Sequence, residues 1–319
     1  MIPLDKAKIR SSAKTHPGLS GKANQDRFAL QAFQLKESSP TESVLAILAD
    51  GVGGQRAGET AAQLTVDVLY DSIASSQGSQ PNGILQSAIL RAEQAILTQS
   101  EGEKAKWGMG STALCAWVID QRLFSASVGD SRLYLLRGER LHLVNVPREV
   151  KRPRGSKKDQ PEEEQSSAGY LGSRMREDIE MSLAMDMPRW LRGRSKNGIQ
   201  LSPNDRLLLC TDGLIEALDE QRIAEILGQS RIEDAASNLV QAALEAGAQT
   251  NLTALAIAIP PGRPMRAYQQ VVLQRRLRLI LAALLLIFIS LIGWYFLAPQ
   301  ITPGFTPLPT AINTLTPIP

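Results

Sequence analysis

Residues 44–76 read VLAILADGVGGQRAGETAAQLTVDVLYDSIASS, an apolar run that stops on Asp50-Gly51 and gives way to an amphipathic stretch. Six apolar residues closed by an Asp-Gly turn signal predict a buried strand. After it, apolar side chains recur at three- and four-residue spacing, the pattern of one helix face. The same grammar repeats outward from this stretch. Strand-like runs are ALCAWVI after Thr112, LFSASVG before Asp130, RLLLC before Thr211 and LTALAIAI after Asn251, and further helix-like stretches are ILQSAILRAEQAILTQS and IEDAASNLVQAALEAGA. Residues 1–260 are therefore read as one globular domain of sheets layered with helices. Periodicity alone leaves open whether the strands run parallel or antiparallel.

Composition narrows the function. A chain of 319 residues with 43% hydrophobic content is neither disordered nor collagen-like. Its net charge of +3, from 35 basic against 32 acidic residues, carries no nucleic-acid footprint, so no nucleic-acid partner is expected. The two cysteines, Cys115 and Cys210, lie inside apolar strand runs and are read as core packing in a reducing compartment. The two histidines, His16 and His142, are read as an exposed loop residue and an outward-facing strand residue. Carboxylates are left to carry the chemistry.

Two segments stand apart from the domain. Residues 147–165, PREVKRPRGSKKDQPEEEQ, run from basic to acidic and are read as a solvated insert or flap, extending to about residue 170. Leu279–Ala298, LILAALLLIFISLIGWYFLA, is an uncharged run of twenty positions. As a helix it is long enough to cross a hydrocarbon core of about 30 Å. Arg275, Arg276 and Arg278 close a basic linker (261–278) on one side, and Trp294 and Tyr295 sit near the other end. The expectation is a single-pass cell-membrane anchor with the domain on the cytoplasmic side and the Pro/Thr-rich tail, 299–319, outside. The N-terminus shows no apolar region of a secretory signal.

Three aspartates close strand-like runs and are followed by a small residue: Asp50-Gly51, Asp130-Ser131 and Asp212-Gly213. Strand ends present side chains at a rim, and a glycine beside a carboxylate lets a backbone carbonyl approach a cation. Oxygen ligands of this kind suit hard divalent ions such as Mg2+ or Mn2+.

The wording around these aspartates resembles a family. NQDRF at 24–28, LADGVGGQRAGETAA at 48–62, MGSTA at 109–113, VGDSRLYLLRGERL at 128–141 and DRLLLCTDGL at 205–214 match, in order and spacing, the motifs of the metal-dependent (type 2C) Ser/Thr protein phosphatases. Val52, where other members carry histidine, is similar to the bacterial branch. The resemblance covers about residues 10–260. It implies an α+β fold, two antiparallel sheets sandwiched between helices, with two metal ions in a cleft at one edge. It implies hydrolysis of phosphoserine and phosphothreonine on proteins with Mn2+ or Mg2+ as cofactor. A Ser/Thr kinase anchored at the same membrane is the expected partner. Carried over by position, Asp50 resembles the carboxylate that bridges the metals, with the Gly51 carbonyl as a further ligand. Asp212 resembles a ligand of the second metal, and Asp26 a carboxylate that holds water on the metal. Asp130 and Glu216 fall where some members bind a third, weaker ion. Lys22 is the candidate phosphate-gripping cation, one position away from the common bacterial arginine. Gly53, Gly54 and Gly58 are read as serving the turn and the start of the helix.

The chain departs from the pattern in two places. The family has Asp-Asn followed by an apolar residue and Thr near the end of the domain, and that Asp is a further ligand of the second metal; here the segment is Thr250-Asn251-Leu252-Thr253. The stretch after Leu143 also differs, since the usual Asp-His is absent and AGYLGSRM (168–175) only partly resembles the family's Arg-x-Leu-Gly segment. Two functions follow as rivals: an active phosphatase with a weak second site, and a pseudophosphatase serving as a phosphoprotein-binding or regulatory module on the same fold.

Overall fold

The computed structural model describes residues 1–4, 9–36, 39–53, 57–102, 109–145, 171 and 198–260. In chain order the elements are β1 (Ile2–Leu4), β2 (Arg10–His16), β3 (Arg27–Lys36), β4 (Ser39–Ala49), β5 (Gly51–Val52), α1 (Ala57–Ala74), α2 (Pro81–Gly102), β6 (Gly110–Ser111), β7 (Ala113–Ile119), β8 (Arg122–Val128), β9 (Arg132–Arg137), β10 (Arg140–Leu143), β11 (Ile199–Gln200), β12 (Arg206–Cys210), α3 (Asp212–Ala217), α4 (Glu220–Gln229), α5 (Ile232–Glu245) and β13 (Leu252–Ala258). Two sheets form, in the orders β1-β3-β4-β7-β8-β11 and β10-β9-β12-β13-β2, with a two-stranded ribbon of β5 and β6. Every strand pair is antiparallel. The α+β sandwich implied by the family resemblance is thus the architecture found.

The strands lack apolar/polar alternation because both faces of their sheets are covered. Along β4, Leu45, Ile47 and Ala49 face α1 and α2, whereas Val44, Ala46 and Leu48 face the second sheet. Along β12, Leu207 and Leu209 face the first sheet and Leu208 and Cys210 face α3, α4 and α5. Three apolar layers result, with Trp117 buried in the outermost layer of the first sheet and Tyr134 in that of the second.

The helices follow from local chemistry. In α1 the buried positions Ala61, Ala62, Thr65, Val66, Leu69 and Ile73 make one stripe. Pro81 opens α2, where its missing N–H costs nothing. Asp219 caps α4, its carboxylate accepting from the Arg222 amide at 2.7 Å.

Cys115 and Cys210 are free and buried, and burial pushes both thiols up to about 12, as expected of core residues. His142 corrects its reading. It lies directly opposite Leu135, which belongs to the layer between the sheets, and directly opposed residues share a face. His142 is therefore a half-buried edge residue on the inner side. His16 is half-buried, and its Nδ1 accepts from the Gly18 amide at 3.0 Å. Residues 1–262 form one compact unit. Among the described residues no helix is long and apolar enough to cross a membrane, and the predicted anchor at 279–298, the basic linker, the Pro/Thr tail and the 147–170 insert lie outside those residues.

Candidate active site

The rim where β4, β8 and β12 end brings the predicted aspartates together. Asp50 follows β4, Asp130 follows β8 and Asp212 opens α3 after β12. Asp26 stands just before β3 and is 2% exposed. Burial raises the Asp50 carboxyl well above its ordinary range, and the charges of Asp26, Asp212 and Asp130 raise it further. Asp212 is pushed up to about 6, by burial first and then by Asp130 and Glu216. Asp26 is also pushed up to about 6 by burial, against hydrogen bonds from Thr253 and Thr211 that favour its charge. Five carboxylates thus feel one another at one place.

The backbone around Asp50 is fixed by two of the quoted motifs. Its amide donates to Thr112 Oγ1 at 2.8 Å, and its carbonyl accepts from the Thr112 amide at 2.8 Å and from Ser111 Oγ at 3.2 Å. Thr112 Oγ1 in turn meets Ser131 Oγ at 3.2 Å, which joins MGSTA to VGDSR. Leu171 docks beside them through paired backbone bonds with Ser111 of 2.9 and 3.2 Å.

The glycines of both Asp-Gly pairs are needed for space. A side chain on Gly51 would collide with the carbonyl of Gly58 in α1, and one on Gly213 with the carbonyl of Asn251 and the hydroxyl of Thr250. Gly58 accordingly serves the close approach of α1 to the rim.

Asp26 Oδ2 accepts from Thr253 Oγ1 at 2.6 Å and from Thr211 Oγ1 at 3.1 Å. Its Oδ1 is buried and receives no nitrogen or hydroxyl donor among the described residues, while the Asp50 carboxyl lies within hydrogen-bonding reach of Asp26 and can satisfy it only by keeping a proton. A buried carboxylate oxygen without a donor, beside carboxylates that repel it, is costly unless a cation completes it. The oxygen-only donor set fits Mn2+ or Mg2+. Among the described residues no three His, Cys, Asp or Glu side chains close into a ready-made cage.

Glu216 is exposed one turn after Asp212, and Thr250 Oγ1 lies 3.5 Å from its Oε2. The position where the chain departs from the family pattern therefore belongs to the same rim. Lys22 is exposed on the loop before Asn24. The cation whose charge is felt at Asp26 is Arg27, which the sequence reading missed although it lies inside NQDRF. Its guanidinium is engaged: Nη1 donates to the carbonyls of Asn24 at 3.1 Å and Asp26 at 2.7 Å, and Nη2 pairs with Glu59 in the first turn of α1.

Comparison with known proteins agrees with this geometry. Residues 18–255 match the family described as protein phosphatase 2C. The chain belongs to the protein phosphatase 2C family. The Ser/Thr protein phosphatase PstP of Mycobacterium tuberculosis is 30% identical over 235 residues, covering 72% of this chain and 43% of that protein. The chain thus matches less than half the length of that relative. The Ser/Thr phosphatase stp of Listeria monocytogenes is 30% identical over 244 residues, covering 70% of this chain and 86% of that protein. Among solved structures, the catalytic domain of PstP in complex with two manganese ions superposes with a TM-score of 0.60 at 25% identity, covering 79% of this chain and 98% of that one. The protein phosphatase 2C fold and the carboxylate rim thus occur together in this chain.

Proposed function

We propose that this protein phosphatase 2C member hydrolyses phosphoserine and phosphothreonine on proteins with two Mn2+ or Mg2+ ions held at the aspartate rim, and does so tethered to a membrane. The observation that carries the reading is the buried Oδ1 of Asp26, which no nitrogen or hydroxyl among the described residues satisfies, within a cluster of mutually repelling carboxylates. A domain with no ion to bind has no folding use for such a cluster. Asp50, the Gly51 carbonyl and Asp212 would hold the ions, and Asp26 would orient water at the site. Asp130 and Glu216 offer a third, weaker position. Bound there, the pair of ions supplies an acidified water and stabilises charge on the entering and leaving oxygens of the displacement. Lys22, exposed on the loop before Asn24, would supply a point charge for the phosphate. The run at 279–298 supplies the tether, with the domain on the cytoplasmic side where a membrane-anchored Ser/Thr kinase would act.

Thr250 favours a second reading, the pseudophosphatase, because a neutral hydroxyl gives the second ion less charge than an aspartate. One assay decides between them: hydrolysis of an aryl phosphate and a phosphothreonine peptide by the full chain across a Mn2+ titration. Turnover that rises with Mn2+, vanishes in chelator and falls by at least about 100-fold in Asp50→Asn is the expected result. In the same titration, Thr250→Asp shifts half-maximal activity to lower Mn2+. An absence of turnover at saturating Mn2+ would establish the binding module.

A further inference from the structure

Asp26 is held by threonines from two different strand ends, and elimination fixes the direction of each hydrogen bond. Thr253 Oγ1 gives its single hydrogen to Asp26 Oδ2. In its 2.8 Å contact with Thr15 Oγ1 it must then accept, so Thr15 is the donor. Thr15 in turn accepts from Asn24 Nδ2 at 2.7 Å. A second branch is built alike: the Thr253 amide donates to Thr211 Oγ1 at 3.0 Å, and Thr211 donates to Asp26 Oδ2. Both branches end on the same oxygen of one carboxylate, and Oδ1 is left without a nitrogen or hydroxyl donor among the described residues. The register makes this possible, since Thr15 and Thr253 are direct partners in the β2–β13 ladder and Thr211 follows β12, the other neighbour of β13.

We propose that Thr253, backed by Thr15, is a positioning residue for the phosphatase reaction, part of a one-way row of hydroxyls that saturates Asp26 Oδ2 and turns Oδ1 toward the ions. The inference rests on the phosphatase reading and deepens it. Donors in series polarise one another, so the outer threonine strengthens the inner bond. Without the row, the carboxylate is free to rotate and offer either oxygen. Outer partners of this sort are commonly worth about 10- to 100-fold in metal affinity or activity.

The test uses the full chain with Mn2+, measuring kcat, KM, Mn2+ affinity by titration calorimetry, and melting temperature. Thr253→Val keeps the side-chain shape and loses the hydroxyl, so kcat and Mn2+ affinity fall by about 10- to 100-fold with KM little moved. Thr253→Ser restores most of both. Thr15→Val, at a half-buried edge-strand position, gives a smaller loss in the same direction, and adds little in a Thr253→Val background because the row is already cut. Wild-type kcat and Mn2+ affinity in Thr253→Val would overturn the proposal. So would equal losses in the valine and serine variants, or full additivity with Thr15→Val, since both assign the threonines to packing. Should Thr253→Val fail to fold, Thr15→Val alone decides, and unchanged kcat and Mn2+ affinity there overturn the proposal. A wild-type chain without Mn2+-dependent turnover removes the phosphatase reading itself, a distinct outcome from an active wild type matched by Thr253→Val.

Discussion

The chemistry at the residue scale is that of carboxylates kept where they would rather not be charged. Asp26 and Asp212 are both held up at about 6, chiefly by burial. The sign of the consequence is set by comparison with an unfolded chain, whose aspartates titrate near 3.8. Between these values the folded, metal-stripped protein binds more protons than the unfolded one. The stabilising contribution is therefore complete below about 3.8 and is lost as the pH climbs through about 6. In chelator, the melting temperature is expected to be higher at pH 5 than at pH 7.5. Saturating Mn2+ at pH 7.5 should restore or exceed the pH 5 value, because a bound cation offsets the same repulsion. A melting temperature in chelator that rises from pH 5 to pH 7.5 would contradict this account of the cluster.

Elements, rather than single residues, set the approach of α1 to the rim. Gly51 in β5 and Gly58 in α1 touch through their backbones, and a methyl group at Gly51 has nowhere to go. Gly51→Ala is expected to lower stability by about 1–3 kcal/mol, or to shift α1 and weaken Mn2+ binding. Gly83 in α2 meets nothing within 4 Å, so Gly83→Ala is the control, neutral or stabilising by up to about 1 kcal/mol. Equal behaviour of the two variants in thermal melts would rule out close packing as the reason for the Gly51 glycine. Legibility differed along these elements. Asp50, Asp130 and Asp212 could be read because each ends an apolar run, and α1 could be read from its stripe. The direction of the strands could not, because sheets covered on both faces erase the alternation that marks an antiparallel strand. His142 was misplaced for a related reason: at a sheet edge, alternation does not say which side faces inward. Arg27 was missed because its acidic partner, Glu59, lies 32 positions away, and the threonines around Asp26 were invisible as a group because their contacts join residues 9 to 238 positions apart.

For the whole molecule, the predicted anchor and the phosphatase domain answer different questions, where the protein acts and what it does. Expression of the full chain followed by detergent-free fractionation is expected to place it in the membrane pellet, released by detergent and not by high salt or carbonate. Recovery of intact chain in the detergent-free supernatant would remove the tether while leaving the chemistry untouched. The pairing of β2 with β13 carries one more consequence. A ribosome has threaded out some 240 residues between the two strands before the second sheet gains its neighbour, and Asp26 waits equally long for Thr253. Nascent chains arrested just before residue 253 therefore hold all five quoted motifs in full and still lack a finished centre. Assembly of the aspartate centre is thus timed to the last of the described strands, and Mn2+-dependent turnover is expected only in chains grown past it.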